Sequence, residues 1–346
     1  MYGLPFTGPG PNYAMDPIDG LDLGTSGSDD PELDAVEAEL YRLDRTGDTV
    51  ATVIRDTFDQ LYDGQHTGRY SFEELHKTEK THMGTLIEIN LHRAFDFEDG
   101  DATDYRIAGV EVDCKYSMTP GKWMLPPEVM GQLALLITAD DQTSSWRSGL
   151  IRVREEVLAS ARNRDAKGWL SSAGLERIRW LWPHHPGLAP NLFLTLDPPA
   201  LSKIFGARAA KSHQHGQSRT DELFRTVQRR IIRRAELATV ARQDDFMKRA
   251  RRSGGSRSRL QREGILVLGH QDNDPAVAEA LGLPRPHKGE FVSARVVPAV
   301  HGLDRQIAMI GGQGWRLAGP RDPVVPAPPM SRRAAEGDDD PQLTVV

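Results

Sequence analysis

The sequence predicts an α/β protein in two parts, a mixed-sheet core domain followed by a winged helix-turn-helix domain. Three observations carry this expectation. Apolar residues recur at helical spacing up to about residue 95 and at strand spacing after it. The run Pro183-His184-His185-Pro186-Gly187 then breaks the chain. Beyond the break, three short helical stretches precede two apolar strand-like runs.

The elements follow in order. Residues 1–31 are rich in Gly, Pro, Asp and Ser without periodicity and are expected to form a disordered acidic tail, as are residues 328–346. Val36, Leu40 and Leu43, then Val53, Ile54, Phe58 and Leu61, mark two helices. A third is expected over 72–95, with Met83, Leu86, Ile87, Leu91 and Phe95 as its apolar stripe. Strands over 107–116, 133–137 and 150–153 complete a first domain spanning 32–182. Residues 191–196 form a short connecting strand. Helices over 220–233, 235–241 and 244–251 and strands over 265–268 and 291–297 make a second domain, 190–327. No internal repeat is visible.

With 346 residues, 38% of them hydrophobic and 27% charged, the chain has the length and composition of a soluble two-domain protein. No run approaches the ~18 apolar residues of a membrane helix, and no basic stretch leads into an apolar core as in a secretory signal. A cytoplasmic protein without membrane attachment is expected. One cysteine, Cys114, excludes an intramolecular disulfide and a four-cysteine zinc site. The net charge of −6 conceals an uneven distribution, since residues 207–262 carry 16 Lys/Arg against 5 Asp/Glu. Such a block is either a solvated helix face or a polyanion-binding surface, and its arginine density favours the second.

The stretch Val110-Glu111-Val112-Asp113-Cys114-Lys115 alternates strictly. Side chains two apart share a face, so Glu111, Asp113 and Lys115 project together, with Asp113 and Lys115 about 6–7 Å apart along the strand. Val110, Val112 and Cys114 face the core. Asp104 would join Asp113 if a hairpin folded it back. Two carboxylates beside a lysine form a hard oxygen site suited to Mg²⁺. Glu88, on the third helix beside its apolar stripe, is a further acid near the interior. By spacing alone, Asp113 and Lys115 could equally be an edge-strand ion pair. Asp165-Ala166-Lys167 repeats the pattern in a polar stretch where it has no assigned role.

An acid on a helix, an acid before the central strand and acid-x-Lys on it resemble the PD-(D/E)xK nuclease core. Longer strings sharpen the likeness: Leu61-Tyr62-Asp63-Gly64-Gln65, residues 75–86, Glu88-Ile89-Asn90-Leu91-His92, Trp123-Met124-Leu125-Pro126-Pro127-Glu128, Gln214-His215-Gly216-Gln217, residues 243–249 and residues 269–275 are similar to the NaeI restriction endonuclease family. The similarity runs from Leu33 to about Pro326, leaving out both tails, and His66 stands where arginine is expected. The resemblance implies a restriction-endonuclease-like core and a catabolite-activator-like winged helix-turn-helix. It implies a catalytic set of Glu88, Asp104, Asp113 and Lys115. Asp104, Asp113 and the Cys114 carbonyl would hold Mg²⁺ against the scissile phosphate, with Glu88 in an outer shell or holding Lys115. Lys115 would orient the attacking water and offset charge in the transition state. The products would carry 5′-phosphate and 3′-hydroxyl ends. A type IIE restriction enzyme is implied: a homodimer that cleaves one copy of GCCGGC in double-stranded DNA and binds a second copy as effector, without a nucleotide cofactor.

In the second domain the candidate recognition helix is 244–251. Gln243, Lys248, Arg249, Arg251 and Arg252 could meet base edges or phosphates, and arginine pairs well with guanine. Arg257, in the glycine-serine stretch 253–257, could follow a DNA backbone. In the first domain Lys77 and Lys80 are candidate DNA contacts. Other readings are weaker. Leu61-Tyr62-Asp63-Gly64 resembles the Lys-x-Asp-Gly motif of ATP-dependent DNA ligases, but leucine cannot be its nucleophile, and Asp-Gly reads better as a turn. His184-His185 and His213-x-His215 lack the partners of a transition-metal site. A DNA-binding regulator with an inert nuclease-like domain is the alternative from a different functional class.

Overall fold

The computed structural model describes residues 29–330 apart from 162, 186, 211–214, 252–253 and 301–305. In its first part, helices α1 (Pro31–Leu43), α2 (Asp48–Tyr62), α3 (Gly64–Thr67) and α4 (Lys77–Phe95) precede strands β1 (Glu98–Asp99), β2 (Tyr105–Ile107), β3 (Val110–Tyr116), β4 (Leu133–Asp140) and β5 (Ser145–Arg152). A short helix α5 (Ser172–Glu176) leads to β6 (Arg179–Leu181). The six strands lie in sequence order, with β3 and β4 parallel and every other pair antiparallel, so the sheet is mixed as expected. β4 is buried along almost its whole length, as a strand covered on both faces must be.

Alternation on β3 and β4 divides the core into two layers. Val112, Cys114, Leu133, Leu135 and Ile137 pack with Ile54, Phe58, Met83, Ile87 and Leu91 of α2 and α4. On the other face, Ala134 and Leu136 lie under Trp123, Leu125, Val157 and Leu170.

Several local boundaries differ from the expectation, each for a physical reason. Asp30 belongs to the folded part: its side chain caps α1 by accepting from Leu33 N, and it pairs with Arg152. The expected helix 72–95 is a 3₁₀ turn over Phe72–Glu74 followed by α4, because Leu75 and His76 are extended. The expected strand 107–116 is two strands, β2 and β3, since Ala108 and Gly109 turn the chain at φ 51° and 77°. Residues 191–196 hold a 3₁₀ helix, Leu192–Thr195, capped by the Asn191 side chain, rather than a strand.

The second part contains α6 (Pro198–Gly206), α7 (Gly216–Thr226), β7 (Ile231–Ile232), α8 (Arg234–Ala241), α9 (Phe246–Arg251), α10 (Ser256–Leu260), β8 (Ile265–Leu268), α11 (Asp274–Ala280), β9 (Phe291–Pro298), β10 (Ala308–Ile310) and β11 (Gln313–Leu317). The helix expected over 220–233 therefore starts earlier and stops at Thr226, giving way to β7. Strand β9 is central and antiparallel to β7, β8 and β11. Pro328 is buried and Met330 packs against this part's core, so the described chain extends into the segment expected as tail.

Charge joins the two parts. Arg55 of α2 pairs with Asp59 at 2.9 Å and with Asp141, which also accepts from Tyr62 Oη at 2.6 Å and Asn191 Nδ2 at 2.8 Å. Asp59 turns its other oxygen to Arg233 at 2.7 Å, and Arg233 pairs with Glu236 of α8 at 2.9 Å. The Asp63-Gly64 turn of the ligase-like string docks on the same helix, where a Cβ on Gly64 would sit 2.0 Å from Thr239 Oγ1. Leu61 lies in the core.

Candidate active site

The Ala108-Gly109 turn builds the site. Two consecutive left-handed residues match the twist of a tight hairpin, and the resulting register sets Tyr105 opposite Val112 and Arg106 opposite Glu111. Continued by one residue, it sets Asp104 opposite Asp113. Asp104 Oδ2 accepts the Cys114 N–H at 2.7 Å, and Lys115 Nζ lies 3.6 Å from the same oxygen. Lys115 Nζ also lies 2.5 Å from Asp113 Oδ2 and donates to the Cys114 carbonyl at 2.9 Å. Helix α4 is tied to this hairpin by Tyr105, whose hydroxyl donates to the Glu88 carbonyl at 2.8 Å.

The charges report their surroundings. Burial pushes the Asp113 carboxyl up to about 6; Lys115 opposes the shift and Asp104 reinforces it. Burial works against the Lys115 charge, but Asp113 and Asp104 outweigh it and hold the ammonium above its ordinary value. Glu88 is raised by burial and by Asp104, with Lys115 opposing, which places its carboxylate within electrostatic reach of the cluster. Burial pushes the Cys114 thiol up to about 12, so the side chain is a core group.

Asp113 Oδ2 is buried, with the Lys115 ammonium 2.5 Å away. A buried carboxylate beside a second carboxylate and a peptide carbonyl fits a hard divalent cation. Among the described residues no three His, Cys, Asp or Glu side chains form a metal cage. The Asp104 and Asp113 pair suits Mg²⁺, which usually takes one or two carboxylates and completes its shell with water and phosphate.

Alternation alone puts Glu111 on the catalytic face without giving it a role. Its carboxylate accepts from the backbone N–H groups of Asp101 and Ala102 at 3.0 Å and of Thr103 at 3.1 Å, and pairs with Arg106 at 2.9 Å. It therefore ties down the loop that ends in Asp104. The N–H groups of Asp101 and Ala102 pull its carboxyl down to about 2. The tie is complete above its ordinary pKa near 4.5 and is lost only as the pH falls through about 2. Glu111→Ala is expected to raise the Mg²⁺ concentration needed for half-maximal cleavage by about 10–100-fold, the usual cost of losing a supporting group behind a metal ligand. An unchanged Mg²⁺ titration would show that the loop holds Asp104 without it.

The expected DNA-contacting residues divide. Lys77 and Lys248 are exposed. Lys80 lies over the Phe72 ring at 5.4 Å. Arg249 pairs with Asp245 at 3.0 Å on its own helix, and Arg251 donates to Gln271 at 3.1 Å. Arg252 lies outside the described residues, as does His213. Gln243 Oε1 is buried against Gly216, where even a Cβ would come within 2.4 Å. Arg257 forms an ion pair with Asp274 and donates to the Val267 carbonyl at 3.0 Å. It staples α10 to the sheet instead of trailing along a flexible loop. His185 stacks on Trp146, with ring centres 4.2 Å apart.

Comparison with known proteins identifies the setting of this cluster. The family profile described as restriction endonuclease NaeI matches residues 34–326. The chain belongs to the NaeI restriction endonuclease family. The type II restriction enzyme NaeI of Lentzea aerocolonigenes is 56% identical over 307 residues, covering 89% of this chain and 96% of that protein. Membership in the NaeI family makes the chain a site-specific deoxyribonuclease of the type II restriction class. The profile spans both sheets, so the basic second part belongs to the NaeI architecture as much as the acidic hairpin does.

Proposed function

We propose that this chain hydrolyses phosphodiester bonds in double-stranded DNA with Mg²⁺, using Asp104, Asp113, Lys115 and Glu88. The observation that carries the reading is the hairpin register, which brings two carboxylates, one just before β2 and one on β3, to one lysine. Asp104, Asp113 and the Cys114 carbonyl would hold the ion. Held there, Mg²⁺ would polarise a phosphoryl oxygen and lower the pKa of a water. Lys115 orients the attacking water and offsets the negative charge that grows on the phosphate. Glu88 supports the lysine or an outer-shell water. In-line attack leaves 5′-phosphate and 3′-hydroxyl ends.

The second part is read as a winged helix-turn-helix that binds an effector copy of the site. Its element order supports this: α7, β7, α8, α9 with α10, then β8 and β9, with β7 and β8 both paired to β9. α9, carrying exposed Lys248, is the proposed recognition helix. A twofold homodimer would supply one active site per strand of a palindrome, and the site GCCGGC with type IIE activation, implied by the sequence resemblance, completes the reading. Action on DNA in the cytoplasm is part of the same reading. No helix of the described residues is long and apolar enough to cross a membrane.

The test is plasmid cleavage with and without Mg²⁺, alongside Asp113→Ala, followed by sequencing of the fragment ends. Discrete fragments that require both Mg²⁺ and Asp113 are expected, with GCCGGC restored where two neighbouring ends are joined. Sequence-specific binding without cleavage would instead favour a regulator with an inert nuclease domain. Acidity gives a second check. Protons and Mg²⁺ compete for Asp113, so the Mg²⁺ requirement should rise as the pH falls below about 6. A requirement that stays level from neutral pH into that range would contradict Asp113 as a ligand.

A further inference from the structure

The second acid-x-Lys string, Asp165-Ala166-Lys167, occupies a surface that the catalytic cluster leaves unexplained. Residues 159–169 fold back on themselves: Ala159 N donates to the Trp169 carbonyl and Asn163 N to the Lys167 carbonyl, each at 2.9 Å. Asn163 Oδ1 closes the tip by accepting from Asp165 N at 3.0 Å and Lys167 N at 2.8 Å. This ribbon is paired to the loop after β3, with Leu125 and Gly168 exchanging both backbone hydrogen bonds at 2.9 Å. Asn163 Nδ2 reaches Met124 Sδ at 3.9 Å.

Its position follows from register. Asp113 pairs with Ala134 and Lys115 with Leu136 in parallel strands, so these four side chains share a face, with neighbouring strands about 4.8 Å apart. Ala134 and Leu136 are the floor on which Trp123, Leu125 and Leu170 pack, and Trp123 Nε1 fixes that layer by donating to the Ile137 carbonyl at 2.7 Å. The ribbon therefore stands on the catalytic face, one strand from the carboxylates. Its outer surface is unusual for a wall: Met124 is 54% exposed, and exposed Lys122 and Arg164, with half-buried Lys167, form no ion pair among the described residues. A cationic two-stranded ribbon is of a size that enters the major groove, and here it stands beside the face that carries Asp113 and Lys115.

We propose that residues 117–125, 159–161 and 163–170 are a DNA-reading element of the catalytic half, entering the groove beside the scissile phosphate. Lys122, Arg164 and Lys167 contact the duplex, and Met124 packs on base edges. The proposal rests on the nuclease reading above, and its test separates the two. Full-length protein and the Lys122→Ala/Arg164→Ala variant are compared for binding to a duplex in the absence of Mg²⁺ over a range of salt, and for cleavage with Mg²⁺. Both substitutions are on the surface, so thermal unfolding should coincide with the parent.

The slope of log affinity against log salt is expected to become shallower by about 1.8, at ~0.9 for each phosphate that is no longer neutralised. kcat/KM should fall tenfold or more. An unchanged slope with unchanged kcat/KM overturns the ribbon while leaving the nuclease intact. A shallower slope for the variant, where the parent itself cleaves nothing, removes the nuclease reading and keeps the ribbon as a DNA-binding element.

Discussion

Lys115→Met is expected to slow single-turnover cleavage by about 10³-fold, the scale of removing one preorganised charge from a transition state, while DNA binding in a gel-shift assay stays near that of the parent. Methionine keeps the bulk of the side chain and removes the ammonium. Two losses then compound. The water and the developing phosphate charge lose their cationic partner. Asp113, already raised to about 6 by burial, loses the group that opposes that shift and faces Asp104 alone. Its pKa moves further up, so more of it is protonated at neutral pH and unable to hold a cation. The acid limb of the pH–rate profile should therefore move to higher pH in the variant, and activity should partly recover in alkali. A variant within tenfold of the parent, with an unmoved profile, would remove Lys115 from the chemistry.

Arg55→Ala is expected to cost about 3–5 kcal/mol of stability, because it leaves a buried carboxylate without its charge partner. The Arg55 and Asp141 side chains are each only 3% exposed. Burial disfavours the Arg55 charge, yet Asp59 and Asp141 more than compensate and raise its pKa. Truncation leaves Asp141 with the Tyr62 and Asn191 donors but no cation, and leaves Asp59 with Arg233 alone. Urea denaturation should show a lower midpoint. Because the same charges link α2 to α8, early separation of the two parts should appear as a second transition. A loss under about 1 kcal/mol, the worth of an exposed pair, would mean that the seam rehydrates without penalty.

What the sequence discloses about the site follows from short-range geometry. Asp113 and Lys115 are legible because strand alternation places residues two apart on one face whatever the rest of the fold does. Asp104 is legible only conditionally, since its place depends on a turn at Ala108-Gly109, which lacks the usual Asn-Gly or Asp-Gly signature, and the alternating pattern runs straight through it. Glu111 is visible as a third acid on the same face. Its engagement with three backbone N–H groups of a loop cannot be read from spacing. The surroundings of Gln243 and Arg257 are not legible for a common reason: composition marks a basic, polar segment, whereas the close approach of Gly216 and the pairing with Asp274 are tertiary facts.

The two-residue turn between β2 and β3 also bears on the order in which the protein assembles. Asp104 and Asp113 are nine residues apart, and a hairpin of this kind closes in about 1–10 μs. Lys115 travels with them. The parallel pairing of β3 with β4 must wait for the intervening loop to be threaded, and non-local pairings of this kind form later. A chain can thus hold all three charged groups together while they are still fully hydrated, before β4 pairs beside Asp113. In that state the carboxylates are ordinary, well-solvated acids, and the lysine has no special hold on them. The burial that raises the Asp113 carboxyl then arrives with the last layer of packing.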